Sequence, residues 1–197
     1  MLALLPDDIY AGRNRVDHSK GKKSVSKRVT FIFGGAASGK SEYAEKLTLK
    51  SYKSKHYLAT SQVFDAEMVE KVALHTARRG PEWRTHEVPM KAAELLSNLG
   101  SDDICLLDCA TLWLSNQMLA ETDLSAAQDA LLQAIDGCAA DLVIVSNEVG
   151  QGIVPETALA RSFREAQGRL NIRLSAQADL VIQVTVGLPV VLKGTLP

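Results

Sequence analysis

Cysteine and long apolar runs are scarce in this 197-residue chain, and each scarcity closes off a class of answer. The three cysteines, Cys105, Cys109 and Cys138, are odd in number and form no C-x-x-C pair. That argues against a disulfide framework and against a structural zinc site, and it fits a reducing, cytoplasmic compartment, with the thiols read as small apolar core fillers. No apolar stretch approaches the ~18 residues that a membrane span needs. The apolar start Met1–Leu5 runs at once into Pro6, Asp7 and Asp8, unlike a secretory signal. Charge of one sign is also lacking: 22 Lys+Arg stand against 23 Asp+Glu, a net of −1. Internal repeats are absent. What remains, 46% hydrophobic and 23% charged, describes a soluble globular chain with length for one domain.

The charge is unevenly placed. Residues 1–28 carry seven basic groups against three acids, and residues 29–197 carry 15 against 20. The stretch from Gly12 to Lys27 has no apolar periodicity and too little apolar surface to offset its ordering entropy, so 1–28 reads as a flexible basic arm. A solvated tail is the simpler reading; contact with an anionic partner such as RNA or a lipid headgroup is the other. From Val29 onward short apolar runs (29–33, 56–59, 104–107, 142–145, 180–186) alternate with helical patterns around 40–53, 65–79, 90–99, 111–120, 125–139 and 156–177. Leu159, Phe163, Ala166, Leu170 and Leu174 draw one apolar stripe on the last helix. Near-continuous apolar strands alternating with helices predict an α/β fold, one open and mostly parallel sheet flanked by helices. The run Val190–Lys193 after Pro189 predicts a small C-terminal β-hairpin.

The strongest local signal is GGAASGKS, residues 34–41, which satisfies G-x-x-x-x-G-K-[ST] between a strand and a helix and so predicts a phosphate loop (P-loop). Gly34, Gly35, Ala36, Ala37, Ser38 and Gly39 would bend the backbone so that several amides face an anion. Lys40 would bring a full charge to the β/γ-phosphates, and the Ser41 hydroxyl suits Mg²⁺. A metal-bound triphosphate also wants a carboxylate at a buried strand end. Asp108, after Ile104–Leu107, supplies it, and it also has the form of a helix N-cap.

Of the four histidines, His18 falls in the arm, and His56 and His86 read as structural. His75 lies on the expected helix 65–79 with Met68, Val72 and Arg79 along one face. An Arg one turn after a His can hold a phosphate beside it, so His75 is a candidate nucleophile; a partly buried structural His is the competing reading.

Several segments in this order carry a resemblance: GGAASGKS, YLATSQ (57–62), Glu67-Met68 … His75 … Arg79 … Trp83-Arg84-Thr85, the strand end LLDC, VSNEVGQGIVP (145–155) and the helix of 159–174. With them, residues from about 29 to 194 resemble the bifunctional adenosylcobinamide kinase / adenosylcobinamide-phosphate guanylyltransferase family of cobalamin biosynthesis. The resemblance implies two reactions. ATP or GTP phosphorylates the aminopropanol hydroxyl of adenosylcobinamide. GTP then guanylylates an enzyme histidine, His75 by motif position, and the GMP passes to adenosylcobinamide phosphate to give adenosylcobinamide-GDP. It implies nucleotide contacts at Gly34–Ser41, at Thr60, Ser61 and Gln62, at Thr76, Ala77, Arg78 and Arg79, at Glu87 and at Asp108, with Mg²⁺ held by Ser41 and Asp108. A homotrimer is also implied, with no stable nucleic acid partner. Asn147 and Glu148 read either as site edge or subunit contact, or as a loop cap. Ala37 stands where the family commonly has Arg, Asp108 where it commonly has Glu, and the arm is extra. Two other readings remain: a kinase or guanylyltransferase of this fold with a single activity, and a non-catalytic nucleotide-dependent protein that uses the arm on nucleic acid.

Overall fold

A computed structural model describes residues 27–62 and 80–196. The expected helix 65–79, with His75, Thr76, Ala77, Arg78 and Arg79, lies outside the described residues, as does 1–26 of the expected arm. In chain order the elements are β1 (Val29–Gly34), α1 (Lys40–Leu49), β2 (Ser54–Ala59), β3 (Trp83–Glu87), α2 (Ala92–Leu96), β4 (Asp103–Asp108), α3 (Ala110–Leu119), α4 (Leu124–Gly137), β5 (Asp141–Asn147), α5 (Ala158–Gln177), β6 (Leu180–Thr185) and β7 (Leu188–Lys193).

The seven strands form one sheet in the order β3-β2-β4-β5-β1-β6-β7. Every pairing is parallel except β6 with β7. Both faces are apolar, as near-continuous strand runs require. On one face Phe31, Leu58, Leu107 and Ile144 pack with Trp113, Leu131, Ile135 and Leu170 of α3, α4 and α5. On the other, Ile32, Leu106, Val143 and Ile182 pack with Ala44 of α1. The cysteines are buried and unpaired, as expected of core fillers.

The departures from expectation have local causes. β3 was not legible because its sequence, WRTHE, buries only Trp83 at the sheet edge; one apolar residue in five gives no strand pattern. The hairpin strand starts earlier than expected, at Leu188, and takes in Pro189, which an edge strand tolerates. The stripe on α5 is buried only at Ala166, Leu170 and Leu174; Leu159 is 56% exposed. Lys27 and Arg28, counted with the arm, are tied to the domain: Lys27 Nζ donates to the Asp136 carbonyl (2.6 Å) and Arg28 N to Asp141 Oδ1 (2.8 Å).

Candidate functional site

All parallel strands end on one side of the sheet, and there residues 34–41 leave β1 and turn into α1. The turn needs special backbone. Gly39 sits at φ 90° and Ala37 at φ 54°, both left-handed; at Gly39 a glycine takes this without strain. Gly34 has no room for a side chain: a Cβ there would stand 2.3 Å from the Val184 carbonyl oxygen. The remaining strain is offset by pinning, since Gly187 N donates to the Ser38 carbonyl (2.9 Å) and Glu148 N to the Gly34 carbonyl (2.9 Å). α3, α4 and α5 begin with side-chain caps from Cys109, Asp123 and Thr157; α1, whose N-cap is Gly39, has none among the described residues. Its first amides are thus left to an anion, with the dipole's positive end behind them.

Lys40 folds back over this turn, with Nζ donating to the Gly35 carbonyl (3.1 Å). It is 9% exposed, and burial lowers its pKa while the Asp108 carboxylate opposes that shift. A buried ammonium is costly without an anion, so the site is poised for one. Ser41 Oγ donates to Asp108 Oδ1 (3.3 Å), and Tyr57 Oη to Asp108 Oδ2 (3.1 Å). Lys40, Ser41 and Asp108 are therefore brought together. Ser41 Oγ and the Asp108 carboxylate are hard oxygen donors of the kind Mg²⁺ takes alongside phosphates, so these residues fit that ion.

Thr60, buried, clamps the turn after Asp108: its Oγ1 accepts from Cys109 N and donates to the Cys109 carbonyl, both at 2.8 Å. Its donor and one of its two acceptor sites are thereby taken by backbone. Ser61 and Gln62 follow it, half-buried. Glu87 is not brought to the loop. It lies exposed at the end of edge strand β3, four strands from β1, about 19 Å along the sheet at the usual spacing. Cys109 is no nucleophile, because burial, reinforced by Asp108, pushes its thiol up to about 11.

The arginines of α5 do not reach the loop. Arg169 pairs with Glu165 (3.2 Å) and Arg173 with Asp129, while Arg161 and Arg164 donate to carbonyls of the 152–156 segment. Glu148 caps its own loop by accepting from Gly150 N. His56 Nδ1 and His86 Nε2 are 3.0 Å apart on the β2–β3 side of the sheet, and His56 Nε2 lies 3.3 Å from Asp103 Oδ1, which fits the structural reading.

Two features escaped the sequence reading. Tyr57 looked like a strand residue and holds Asp108. A largely buried polar network of Thr111, Ser146, Gln167 and Asn171 ties the start of α3 and the end of β5 to α5: Ser146 Oγ donates to Asn171 Oδ1 (2.7 Å), Gln167 Nε2 to Ser146 Oγ (2.8 Å) and Asn147 N to Thr111 Oγ1 (2.7 Å). The available signal was Gln167 and Asn171 one turn apart among the apolar positions of α5.

Residues 30–192 match the family described as cobinamide kinase / cobinamide phosphate guanyltransferase. The chain is 39% identical to the bifunctional adenosylcobalamin biosynthesis protein CobP of Pseudomonas aeruginosa, over 83% of this chain and 96% of that protein. It is 39% identical to the bifunctional adenosylcobalamin biosynthesis protein CobU of Salmonella typhimurium, over 83% and 98%. The CobU of Escherichia coli is 36% identical over the same shares. Among solved structures the RadB recombinase gives a TM-score of 0.43 at 14% identity, covering 79% of this chain and 73% of that one, a likeness too distant to bear on function. With its phosphate loop, its strand-end carboxylate and a match spanning nearly all of β1 to β7, the chain belongs to the cobinamide kinase / cobinamide phosphate guanyltransferase family.

Proposed function

We propose that this chain is a bifunctional transferase that phosphorylates adenosylcobinamide with ATP or GTP and then transfers GMP from GTP to adenosylcobinamide phosphate, giving adenosylcobinamide-GDP in cobalamin biosynthesis. The observation that carries the reading is the convergence of Lys40, Ser41 and Asp108 on the amides of an uncapped helix start, in a chain of this family.

In this reading the loop amides and Lys40 hold the β/γ-phosphates and neutralise the charge that builds as a phosphoryl group leaves. Ser41 and Asp108 would hold Mg²⁺, which when bound adds charge neutralisation at the phosphate oxygens. Thr60 and Tyr57 keep the Asp108 carboxylate aimed at Ser41, and Ser61, Gln62 and Thr76–Arg79 are further candidate nucleotide contacts. Glu87 suits guanine, whose N1 and N2 are donors; its distance from the loop requires the guanosine to reach across the sheet ends toward β3. For the second reaction His75, by its position in the motif, supplies the nucleophile. Its ring nitrogen bonds to the α-phosphorus, the bond to the bridging oxygen breaks and pyrophosphate leaves. The phosphoramidate then yields its GMP to the cobinamide phosphate.

Residues 29–197 form the catalytic domain in this reading, and 1–28 an appended basic arm. A homotrimer is supported by β7, an edge strand exposed at every residue and bearing Leu188, Val190 and Leu192, a surface that favours self-association. A cytoplasmic setting accords with the unpaired thiols; no described helix is long and apolar enough to cross a membrane.

The test is a product assay with adenosylcobinamide, ATP, GTP and Mg²⁺ that resolves phosphorylated from GDP-linked product. Both products are expected. Only one of them would reduce the chain to a single activity, and neither would overturn the reading.

A further inference from the structure

Beside the phosphate loop lies a cavity of about 500 Å³ with three walls: residues 35–38 of the loop, the segment from Glu148 to Gly152 after β5, and Gln183–Val186 at the end of β6. It spans the end of β1, with the segment after β5 on the Asp108 side and the end of β6 on the other. The walls are built rather than loose. The β6–β7 turn is held to the loop by Gly187 N and the Ser38 carbonyl (2.9 Å). Arg164 donates to the Ile153 carbonyl (3.1 Å), and Arg161 to that of Pro155 (3.0 Å), fixing the segment that continues from the second wall.

The direction of the triphosphate decides what this cavity is for. A phosphate-loop lysine reaches the β/γ-phosphates. Lys40 Nζ sits at the Gly35 carbonyl, and Gly35 lines the cavity. The part of the loop that Lys40 touches therefore borders this space, and a triphosphate whose terminal phosphate meets Lys40 there would carry its nucleoside at the other end. A hydroxyl held in the cavity would then stand beside the terminal phosphorus. One carboxylate lines it, Glu148, whose Oε1 accepts from Gly150 N, leaving Oε2 for another donor; no Lys or Arg pairs with it among the described residues.

We propose that this cavity receives the acceptor alcohol of the phosphoryl-transfer step and that Glu148 is the base that takes the hydroxyl proton. The inference rests on the function proposed above and adds to it a subsite and a catalytic residue. The alcohol oxygen bonds to the γ-phosphorus, the bond from that phosphorus to the β–γ bridging oxygen breaks, the proton passes to Glu148 Oε2, and the nucleoside diphosphate leaves with the electron pair. A space of this size takes a short hydroxyalkyl arm and not a macrocycle. The body of the acceptor stays outside, next to Ile153 and Val154, which are 93% and 65% exposed where the second wall ends.

The test uses the full chain. Glu148→Gln keeps an oxygen for Gly150 N and removes the base. Phosphorylation of adenosylcobinamide by γ-³²P-ATP is expected to fall about 10²- to 10⁴-fold in kcat, with the KM for ATP within about twofold and labelling of the enzyme by α-³²P-GTP unchanged. Thr185→Trp, which fills the cavity from β6, is expected to raise the KM for adenosylcobinamide about tenfold or more and leave that for ATP alone. Kinase turnover of Glu148→Gln within about threefold of wild type overturns the base, as does an equal loss of kinase and guanylyl labelling, which marks a structural role. A Thr185→Trp effect on ATP instead of acceptor overturns the subsite and assigns the cavity to the nucleoside. Wild type that phosphorylates no adenosylcobinamide overturns the proposed function itself, and the inference with it.

Discussion

Ser41 Oγ lies 3.3 Å from Asp108 Oδ1, although the strands that lead to them, β1 and β4, are not neighbours: β5 runs between them. The pair closes over the end of β5 because Ser41 is already in the first turn of α1 and Asp108 is the last residue of its strand. Tyr57 Oη, from the strand on the far side of β4, holds the other carboxylate oxygen.

Asp108→Asn tests this arrangement. An amide keeps one acceptor and loses the charge, so the phosphate oxygens lose part of their compensation. Turnover in both reactions is expected to fall about 10²- to 10³-fold, with Tm changed by less than about 4 °C. Steady-state kinetics and a thermal melt check it; full activity would remove Asp108 from the site.

Lys40 gives a pH-dependent expectation. Burial lowers its pKa below 10.5 in the fold, so the unfolded chain holds the proton more tightly. The ammonium therefore costs stability at neutral pH, and that cost fades as pH rises through the folded value toward 10.5. Lys40→Met removes the cost together with the charge. The ligand-free variant is expected to melt up to about 4 °C higher than wild type at pH 7, the gap narrowing at alkaline pH, while turnover falls at least about 10²-fold. Melts across pH and turnover at pH 7 check both halves.

Gly34 reports on close approach. A methyl there would meet the Val184 carbonyl oxygen at 2.3 Å and Ser38 Oγ at 2.8 Å, so β1 and β6 must part. Gly34→Ala is expected to cost about 1–3 kcal/mol and lower Tm by roughly 2–12 °C, read by calorimetry.

Much of this was legible beforehand because the physics is local. GGAASGKS specifies its own turn, and the runs 29–33, 104–107 and 142–145 announce strands buried on both faces. The pairing of Ser41 with Asp108 followed from what a metal-bound triphosphate requires, although nothing local revealed that β5 separates their strands. What stayed hidden depends on neighbours. Trp83–Glu87 is a strand only because β2 offers it an edge. Tyr57 has a role only because Asp108 ends the adjacent strand. The network through Gln167 and Asn171 exists only once α5 lies over β5. The placing of Glu87 four strands from the loop is likewise a matter of strand order, which no short window encodes.

The arm separates enzyme from nucleic-acid-binding protein. Removing residues 1–26, which keeps Lys27 and Arg28 on their carbonyl and carboxylate partners, is expected to leave turnover unchanged within about twofold. Salt-sensitive RNA or DNA binding that vanishes with the arm would favour the other class.

The most direct measurement is covalent labelling. Wild-type protein incubated with α-³²P-GTP and Mg²⁺, then denatured, is expected to carry acid-labile, alkali-stable radioactivity, the signature of a phosphoramidate, while His75→Ala carries none. No label on wild type, or equal label on His75→Ala, would contradict the guanylylated-histidine account.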